Sequence, residues 1–182
     1  AVAGSAPGEV VLVGGGDPSL SVDAKGQFPG AARLDQLAVQ VKKALGATRA
    51  TKVTIDTSLF SGPETAVGWD PSDISPGGQV SRIQALMTNA GRIKPVHNEF
   101  GGDPRFPDPA IAAGKAFAKQ LGVPAATVKR GRAPAQAEPL GAVQSPPMVQ
   151  LTDWMLEQSD NTMADVLGRQ VALAAGRPAT FD

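Results

Sequence analysis

Apolar positions in the first third of the chain predict two strands separated by a helix. The three segments are, in chain order, residues 9–13 (EVVLV), 34–45 and 52–57 (KVTIDT). The middle segment has apolar residues at helical spacing and stops before Gly46, a typical helix end. The last segment alternates, so Val53 and Ile55 should face one side of a half-buried strand. This order predicts a small α/β layer over residues 8–60.

Three more helices are predicted in the second half of the chain. Asp108 is placed to cap the first of them, and Gly122 ends it. Ser145 and the two prolines after it begin the second, again as a capping residue followed by Pro. The third follows residue 161 and stops at Gly176. Short strands are expected at residues 84–87, 92–96 and 126–129.

Three polar residues, Ser159, Asp160 and Asn161, separate the last two helices. Their short side chains compete for nearby backbone groups, which makes them poor helix-interior residues. They should therefore form a tight connection, in which Asn161 or Thr162 caps the second helix. The simplest interpretation of this corner is a capped turn in a helical hairpin.

Composition limits the possible functions. The 182 residues include 17 basic and 17 acidic side chains, and this balance gives no support to a nucleic-acid partner. The absence of cysteine excludes disulfides, thiol catalysis and thiolate metal sites. The lone histidine, His97, lies near Glu99 in a loop rich in Pro and Gly, which is a poor metal site, so no metal is expected.

Ser159 and Asn161 also form the pattern Ser-x-Asn, the second active-site motif of the penicillin-recognising serine enzymes. In that motif set, S-x-x-K supplies the nucleophilic serine and the lysine that activates it, and K-T-G comes last. The Ser of S-x-N can relay a proton to the leaving group, and the Asn offers its amide to the substrate backbone. A helix corner suits this chemistry because rigid supports project short polar side chains into a cleft.

Four other motifs precede this one in the chain. They are VLVGGGDPSL (residues 11–20), IDTSLF (55–60), GW (68–69) and SPP (145–147). With the corner motif, they resemble the D-alanyl-D-alanine carboxypeptidases among the class C low-molecular-mass penicillin-binding proteins, over most of residues 9–176. The resemblance implies an α+β fold: part of a serine β-lactamase/transpeptidase-like domain, with the S-x-N corner on its helical side, and an inserted α/β domain. The inserted domain would cover about residues 8–105, and residues 106–182 would belong to the helical region.

The resemblance also implies a function and a place of action. Members of that family are serine carboxypeptidases or endopeptidases that cleave peptidoglycan stem peptides through an acyl-enzyme and bind β-lactams, without a cofactor. The chain would be exported and act in the periplasm or at the cell wall. Ser159 would be the proton-relay serine and Asn161 the substrate-positioning amide, with Asp160 mostly structural.

Two residues of the IDTSLF motif have a possible role in substrate recognition. Asp56 and Phe60 resemble inserted-domain residues that reach the cleft and recognise the diamino acid of the stem peptide. A carboxylate opposite an ammonium group makes chemical sense. The alternative is a strand-end Asp in a turn and a core Phe. Trp69 is expected to pack, and the glycines of residues 14–16 to form a structural turn, because no P-loop lysine follows them.

Two family motifs are missing from the chain. No Ser or Thr has Lys three places on, and no Lys precedes Ser or Thr and then Gly. We therefore expect an internal piece of a longer enzyme, inactive alone, whose other segments carry S-x-x-K and K-T-G. Residues 89–108 have room only for a loop where the family often carries another inserted domain.

Two alternatives remain open at this point. The chain could be a non-catalytic cell-wall or protein-binding module derived from the same fold. It could also belong to a class A-like β-lactamase, which uses S-D-N as well, although the glycine motif and the long stretch before Ser159 argue against this.

Overall fold

A four-stranded sheet forms the centre of the computed structural model, which describes residues 1–94 and 102–181. The strands lie side by side in the order β1 (Val2–Ala3), β2 (Glu9–Val13), β3 (Lys52–Asp56) and β4 (Lys129–Arg130). Strand β1 runs antiparallel to β2, whereas β2, β3 and β4 are parallel. The helices of the described residues are α1 (Leu34–Leu45), α2 (Pro71–Ile74), α3 (Pro109–Leu121), α4 (Met148–Gln158) and α5 (Asn161–Ala174). The predicted α+β class is confirmed.

Helices α1 and α3 pack on this sheet and bury its main apolar core. The predicted strand–helix–strand unit is present as β2, α1 and β3, and Val53 and Ile55 are fully buried as expected. The prediction of a half-buried strand was wrong, because Thr54 and Asp56 are buried too. Strand β3 lies between β2 and β4, and parallel strands in this position are usually covered on both faces.

Helix α3 has the ends that the sequence predicts. The Asp108 carboxylate accepts a hydrogen bond from the Ile111 N–H, and Gly122 ends the helix in the left-handed conformation. Gly114 lets the helix approach the sheet closely, since a Cβ there would lie 2.6 Å from Cγ2 of Ile55. The backbone of α3 therefore rests directly on β3.

Helices α4 and α5 form the predicted hairpin, with a smaller core of their own around Trp154, Met163 and Leu167. The expected Ser145 cap was wrong, because Pro147 occupies the N-cap position without a side-chain hydrogen bond. No helix in the described part of the chain is both long enough and apolar enough for a membrane span.

The short strands were predicted less well. Residues 84–87 are a buried irregular segment, so the strand predicted there was wrong. The Gln84 side chain donates to Glu64 and accepts from the Ala110 N–H, and these contacts link the segment to the start of α3. In the strand predicted at 92–96, the described residues form no strand beyond an isolated β-bridge between Arg92 and Arg105. Residues 95–101 lie outside the described residues. The strand predicted at 126–129 is displaced to β4.

The division expected between residues 105 and 106 runs through one packed unit. Helix α3 lies after that point, yet it belongs to the same apolar core as β2, α1 and β3. Strand β4 also lies after it and pairs with β3. Residues of α3 and β4 therefore pack with the α/β layer, and α4 and α5 form the helical hairpin.

A buried cluster of charges fixes the corner between α4 and α5. Asp160 caps α5 by accepting from the Met163 N–H at 3.0 Å, so the expected cap at Asn161 or Thr162 was wrong. The other carboxylate oxygen of Asp160 accepts from Nη1 of Arg92 at 2.7 Å, while Nε of Arg92 donates to Asp103 at 2.6 Å. All three side chains are less than 5% exposed. A carboxylate with both oxygens engaged holds the corner rigidly.

Replacing Asp160 should destabilise the protein. Asp160→Asn keeps a capping oxygen but leaves Arg92 short of one negative charge, and we expect a loss of about 3 kcal/mol, the low end for a broken buried pair, because Asp103 remains. Asp160→Ala also removes the cap and should lose about 1 kcal/mol more. The urea midpoint measures both losses. The control is Asp153→Asn, at an exposed position of α4. Equal midpoints for Asp160→Asn and this control would contradict the role of the cluster.

Glu9 should make stability depend on pH in the acid range. The Lys52 ammonium at 2.8 Å and the Thr54 hydroxyl at 2.6 Å lower the pKa of Glu9 from 4.5 to about 2. Since the folded-state pKa is below the unfolded one, this stabilisation is complete above about pH 4.5 and disappears as the pH falls through about 2. The unfolding free energy of the wild type should therefore exceed that of Glu9→Gln at neutral pH, and the gap should close in this window. Glu157→Gln, on the exposed surface of α4, should show no such trend. A gap that does not change with pH would disprove the role of Glu9.

Candidate active site

Ser159 ends α4 in the left-handed backbone region, with φ +49° and ψ +43°. Its N–H donates to the Leu156 carbonyl, and the next N–H, of Asp160, donates to the Met155 carbonyl. Helices that end in this way usually carry Gly at the left-handed position, because an L side chain costs roughly 1–2 kcal/mol there. Helix α3 follows that rule with Gly122.

The Ser159 side chain is exposed, and its hydroxyl has no hydrogen-bond partner among residues 1–94 and 102–181. The chain therefore keeps a hydroxyl at a strained position where Gly would be easier to accommodate. Strained side chains cluster at functional sites, where the conformation presents a reacting group.

Asn161 begins α5, and its side chain is exposed at the edge of a cavity of about 490 Å³. The side-chain amide donates to the Gln79 carbonyl at 3.2 Å. The residues that line the cavity come from α5 and from the segment after β3: Trp69, Asp73, Gln79, Val80, Asn161, Ala164 and Asp165. Of the four site residues predicted from the sequence, only Asn161 belongs to this lining.

Two carboxylates and an indole give this cavity its chemical character. Burial raises the pKa of Asp165, and the positive charge of Arg169, one turn along α5, only partly offsets this effect. Asp73 is exposed on α2, and Trp69 is half-buried. Carboxylate and amide groups can bind the N–H groups of a peptide, and the negative charges favour cationic over anionic ligands.

Sequence reasoning missed Asp73, Gln79 and Asp165, and it assigned Trp69 to packing. A signal was available for Asp165, which lies four residues after Asn161 on the same face of one helix. No comparable signal existed for Asp73 and Gln79, because the irregular segment around them has no periodicity.

Asp56 lies at the end of β3 and is 6% exposed. Its two carboxylate oxygens accept from the backbone N–H groups of Ser58 and Ala133, at 2.9 and 2.7 Å. Burial acts to raise the pKa of Asp56, but these hydrogen bonds outweigh it and the pKa is lowered. The carboxylate thus ties the end of β3 to the chain that follows β4.

Phe60 packs beside a small apolar cluster that contains Val80, Ile83 and Val166. The guanidinium of Arg169 lies 5.3 Å from the centre of its ring, within the range of a cation–π contact. Neither Phe60 nor Asp56 lines the cavity beside Asn161.

The three glycines after β2 form a turn that contacts α5. Gly14 allows close approach, since a Cβ there would lie 2.6 Å from the Ala85 carbonyl oxygen. Gly16 has φ +73°, and the Gln170 side chain donates to the carbonyls of Gly15 and Gly16. These contacts support the prediction of a structural turn.

A metal site is not found in the part of the chain that the structure describes, where no three acidic or histidine side chains are grouped closely enough. His97 and Glu99, considered above, lie outside the described residues.

Comparisons with known proteins identify relatives of this chain. It is 45% identical to a carboxypeptidase of Mycobacterium tuberculosis over 177 residues, which cover 96% of this chain and 37% of the relative. It is 42% identical to the carboxypeptidase DacB of Mycolicibacterium smegmatis over 180 residues, which cover 97% of this chain and 38% of that protein. The chain thus spans little more than a third of these two relatives.

The fold has a counterpart among solved structures. Penicillin binding protein 4 (dacB) from Haemophilus influenzae matches 99% of this chain and 53% of its own, with a TM-score of 0.67 at 20% identity. The α/β layer and the helical hairpin thus recur together as one arrangement in that protein. The sequence model of the D-Ala-D-Ala carboxypeptidase 3 (S13) family matches residues 2–107 and 97–182. The chain belongs to the D-Ala-D-Ala carboxypeptidase 3 (S13) family.

Proposed function

We propose that this chain forms one wall of the active site in a penicillin-binding serine D-alanyl-D-alanine carboxypeptidase or endopeptidase. The observation that carries the proposal is the exposed hydroxyl of Ser159, which has no hydrogen-bond partner in the described part of the chain. The residue is held in a left-handed conformation beside the cavity-lining Asn161. Membership of the S13 family supports it independently and favours it over the class A β-lactamase alternative.

The reaction would proceed through an acyl-enzyme. The serine of S-x-x-K attacks the carbonyl carbon of the penultimate D-alanine, and the bond to the terminal amine breaks. Ser159 passes the proton of the attacking hydroxyl to the departing amine, and water then hydrolyses the ester. Asn161 donates its side-chain amide to the peptide backbone, which holds the bond in place.

The attacking serine and its lysine must come from another part of the polypeptide, since S-x-x-K and K-T-G are absent from these 182 residues. An apolar surface is available for such segments on the outer face of α4. Val149 and Leu156 are 67% and 70% exposed, and Met148 is 47% exposed. At about 100° per residue these three side chains share one face of the helix, and exposed apolar groupings of this kind are typical of contact surfaces.

Asp56 and Phe60 remain part of the proposal as residues that recognise the diamino acid of the stem peptide. A carboxylate has about four acceptor positions, and Asp56 uses two of them on backbone N–H groups. It could therefore accept from an ammonium group only at the small part of its surface that is exposed.

The substrate sets the place of action. Peptidoglycan stem peptides and the β-lactams that imitate them are met outside the cytoplasmic membrane. The complete protein is therefore proposed to be exported and to act in the periplasm or at the cell wall.

A labelled penicillin tests the function directly. The 182-residue chain should not be acylated, whereas a longer polypeptide that adds S-x-x-K before it and K-T-G after it should be. In that polypeptide, Ser159→Ala and Ser159→Gly should each slow acylation on the order of 100-fold or more, the usual scale for a lost proton-transfer group. If both variants of the longer polypeptide are acylated at the parent rate, Ser159 has no catalytic role and the corner is only a capped turn. Absence of any labelling would favour the non-catalytic module.

Stability measurements separate this effect from unfolding. Ser159→Gly should leave the urea midpoint unchanged or raise it, because Gly relieves a left-handed side chain worth roughly 1–2 kcal/mol. The matched control is Gly122→Ala, at the corresponding position of α3, which should lower stability by roughly 1–2 kcal/mol. A clear loss of stability in Ser159→Gly would show that the hydroxyl has a structural role.

The outer face of α4 should become buried in the longer polypeptide. Because the chain has no cysteine, Val149→Cys introduces a single thiol. A maleimide reagent should modify it readily in the 182-residue chain and at least about tenfold more slowly in the longer polypeptide, since buried thiols are inert. Lys43→Cys, at an exposed position of α1, should react equally in both. Equal reaction of Val149→Cys in the two proteins would show that this face is not the contact surface.

A further inference from the structure

Arg169 is a buried cation on α5, two turns after Asn161, and only 3% of its surface is exposed. Its Nη1 donates to the carbonyls of Ser61 and Ala179, at 3.0 and 2.9 Å, and its Nη2 donates to the Pro63 carbonyl at 2.7 Å. One guanidinium therefore joins three separate points of backbone.

Two aromatic rings also contact this guanidinium. Its central carbon lies 4.5 Å from the Phe181 ring centre and 5.3 Å from that of Phe60. Phe181 in turn meets Trp69 edge to face, with ring centres 5.4 Å apart. A continuous series of contacts thus runs from Arg169 through Phe181 to Trp69, which lines the cavity beside Asn161.

Carbonyl oxygens and ring faces make the direct contacts with this charge. Within the described ranges, no carboxylate lies in salt-bridge distance of Arg169. Burial lowers the pKa of Arg169, and the negative charges of Asp165 and Glu64 act against this effect. A lysine could not replace it, because a single ammonium group lacks the planar fork that reaches three carbonyls.

Two of the backbone carbonyls that Arg169 contacts belong to the segment after β3 that leads to the cavity. Ser61 and Pro63 begin the irregular segment that leads to Trp69, Asp73 and Gln79. That segment has little regular structure of its own, only the four residues of α2. Its position relative to α5 therefore depends on side-chain contacts, and Arg169 provides two of them, to the Ser61 and Pro63 carbonyls.

We propose that Arg169 is a positioning residue that holds Trp69 and the segment 61–80 against α5. It thereby sets the shape of the cavity beside Asn161 and the affinity for the peptide substrate, while the rate of acyl transfer is left to other groups. The effect on a peptide substrate rests on the proposed function. The coupling of Arg169 to Trp69 rests only on the contacts described above.

Fluorine NMR of the 182-residue chain tests that coupling. With 5-fluorotryptophan, the two tryptophans give two signals, which Trp69→Phe assigns. Trp154 lies in a different apolar cluster beside Phe28 and is the internal control. In Arg169→Met and Arg169→Lys, the Trp69 signal should move toward that of a solvent-exposed indole while the Trp154 signal stays in place. Arg177→Met, at an exposed arginine after α5, should move neither.

Global unfolding is recognised because both signals would then change together. If the Arg169 variants unfold, Phe181→Leu tests the coupling instead, because it removes one ring between Arg169 and Trp69 and leaves the guanidinium in place. It should move the Trp69 signal alone. A Trp69 signal that stays fixed in a folded Arg169 or Phe181 variant would overturn the proposal.

Kinetics of the longer polypeptide test the consequence for substrate. Arg169→Lys should raise KM for a stem pentapeptide roughly tenfold with kcat within about twofold, the sign of lost ground-state binding. A lower kcat at unchanged KM would overturn the assignment to substrate affinity. If the parent polypeptide is not acylated by penicillin, the proposed function fails, and the NMR result still decides whether Arg169 positions Trp69.

Discussion

The Asp160 carboxylate performs two tasks on which the position of the candidate site depends. One oxygen caps α5, and the other meets Arg92, whose second contact is Asp103. Because these groups are buried, each charge requires its partners, and the geometry has little freedom. The residues on either side, Ser159 and Asn161, are exposed and are held in place by this fixed centre.

Arg105 extends the same cluster to the backbone of Gly78 and Ala90. It donates to the carbonyls of Gly78 and Ala90, and burial lowers its pKa to about 10, with the nearby charge of Arg92 acting in the same direction. Two arginines and two aspartates balance in charge, so the group can be buried as a whole. The helical hairpin, the turn at Asn89–Gly91 and the segment that lines the cavity are joined through it.

Local sequence patterns were sufficient to predict the helices, strands and turns that neighbouring residues determine. The bounds of α1 and α3, the strands β2 and β3, and the polar corner follow from periodicity and from residues such as Asp108 and Gly122. Asn161, which the corner motif singles out, is also one of the residues that line the cavity. Residues 84–87 were misassigned because the Gln84 side chain, rather than a neighbouring strand, provides the hydrogen bonds that this buried segment needs.

Other features depend on contacts between distant parts of the chain, which a single sequence does not reveal. Arg92 and Asp160 are 68 positions apart, and Arg169 and Ser61 are 108 apart. Nothing near these arginines in the sequence marks them as buried. The same holds for Asp73 and Gln79, which reach the cavity only because distant contacts position their segment.

Helix α5 also holds the glycine turn at the end of β2, through the side chain of Gln170. The element that lines the cavity is thus joined to the carboxyl end of β2, some 155 positions earlier in the chain. A ligand that shifted the axis of α5 would transmit the displacement to that turn, and a perturbation of the turn would be felt in the cavity with equal coupling energy.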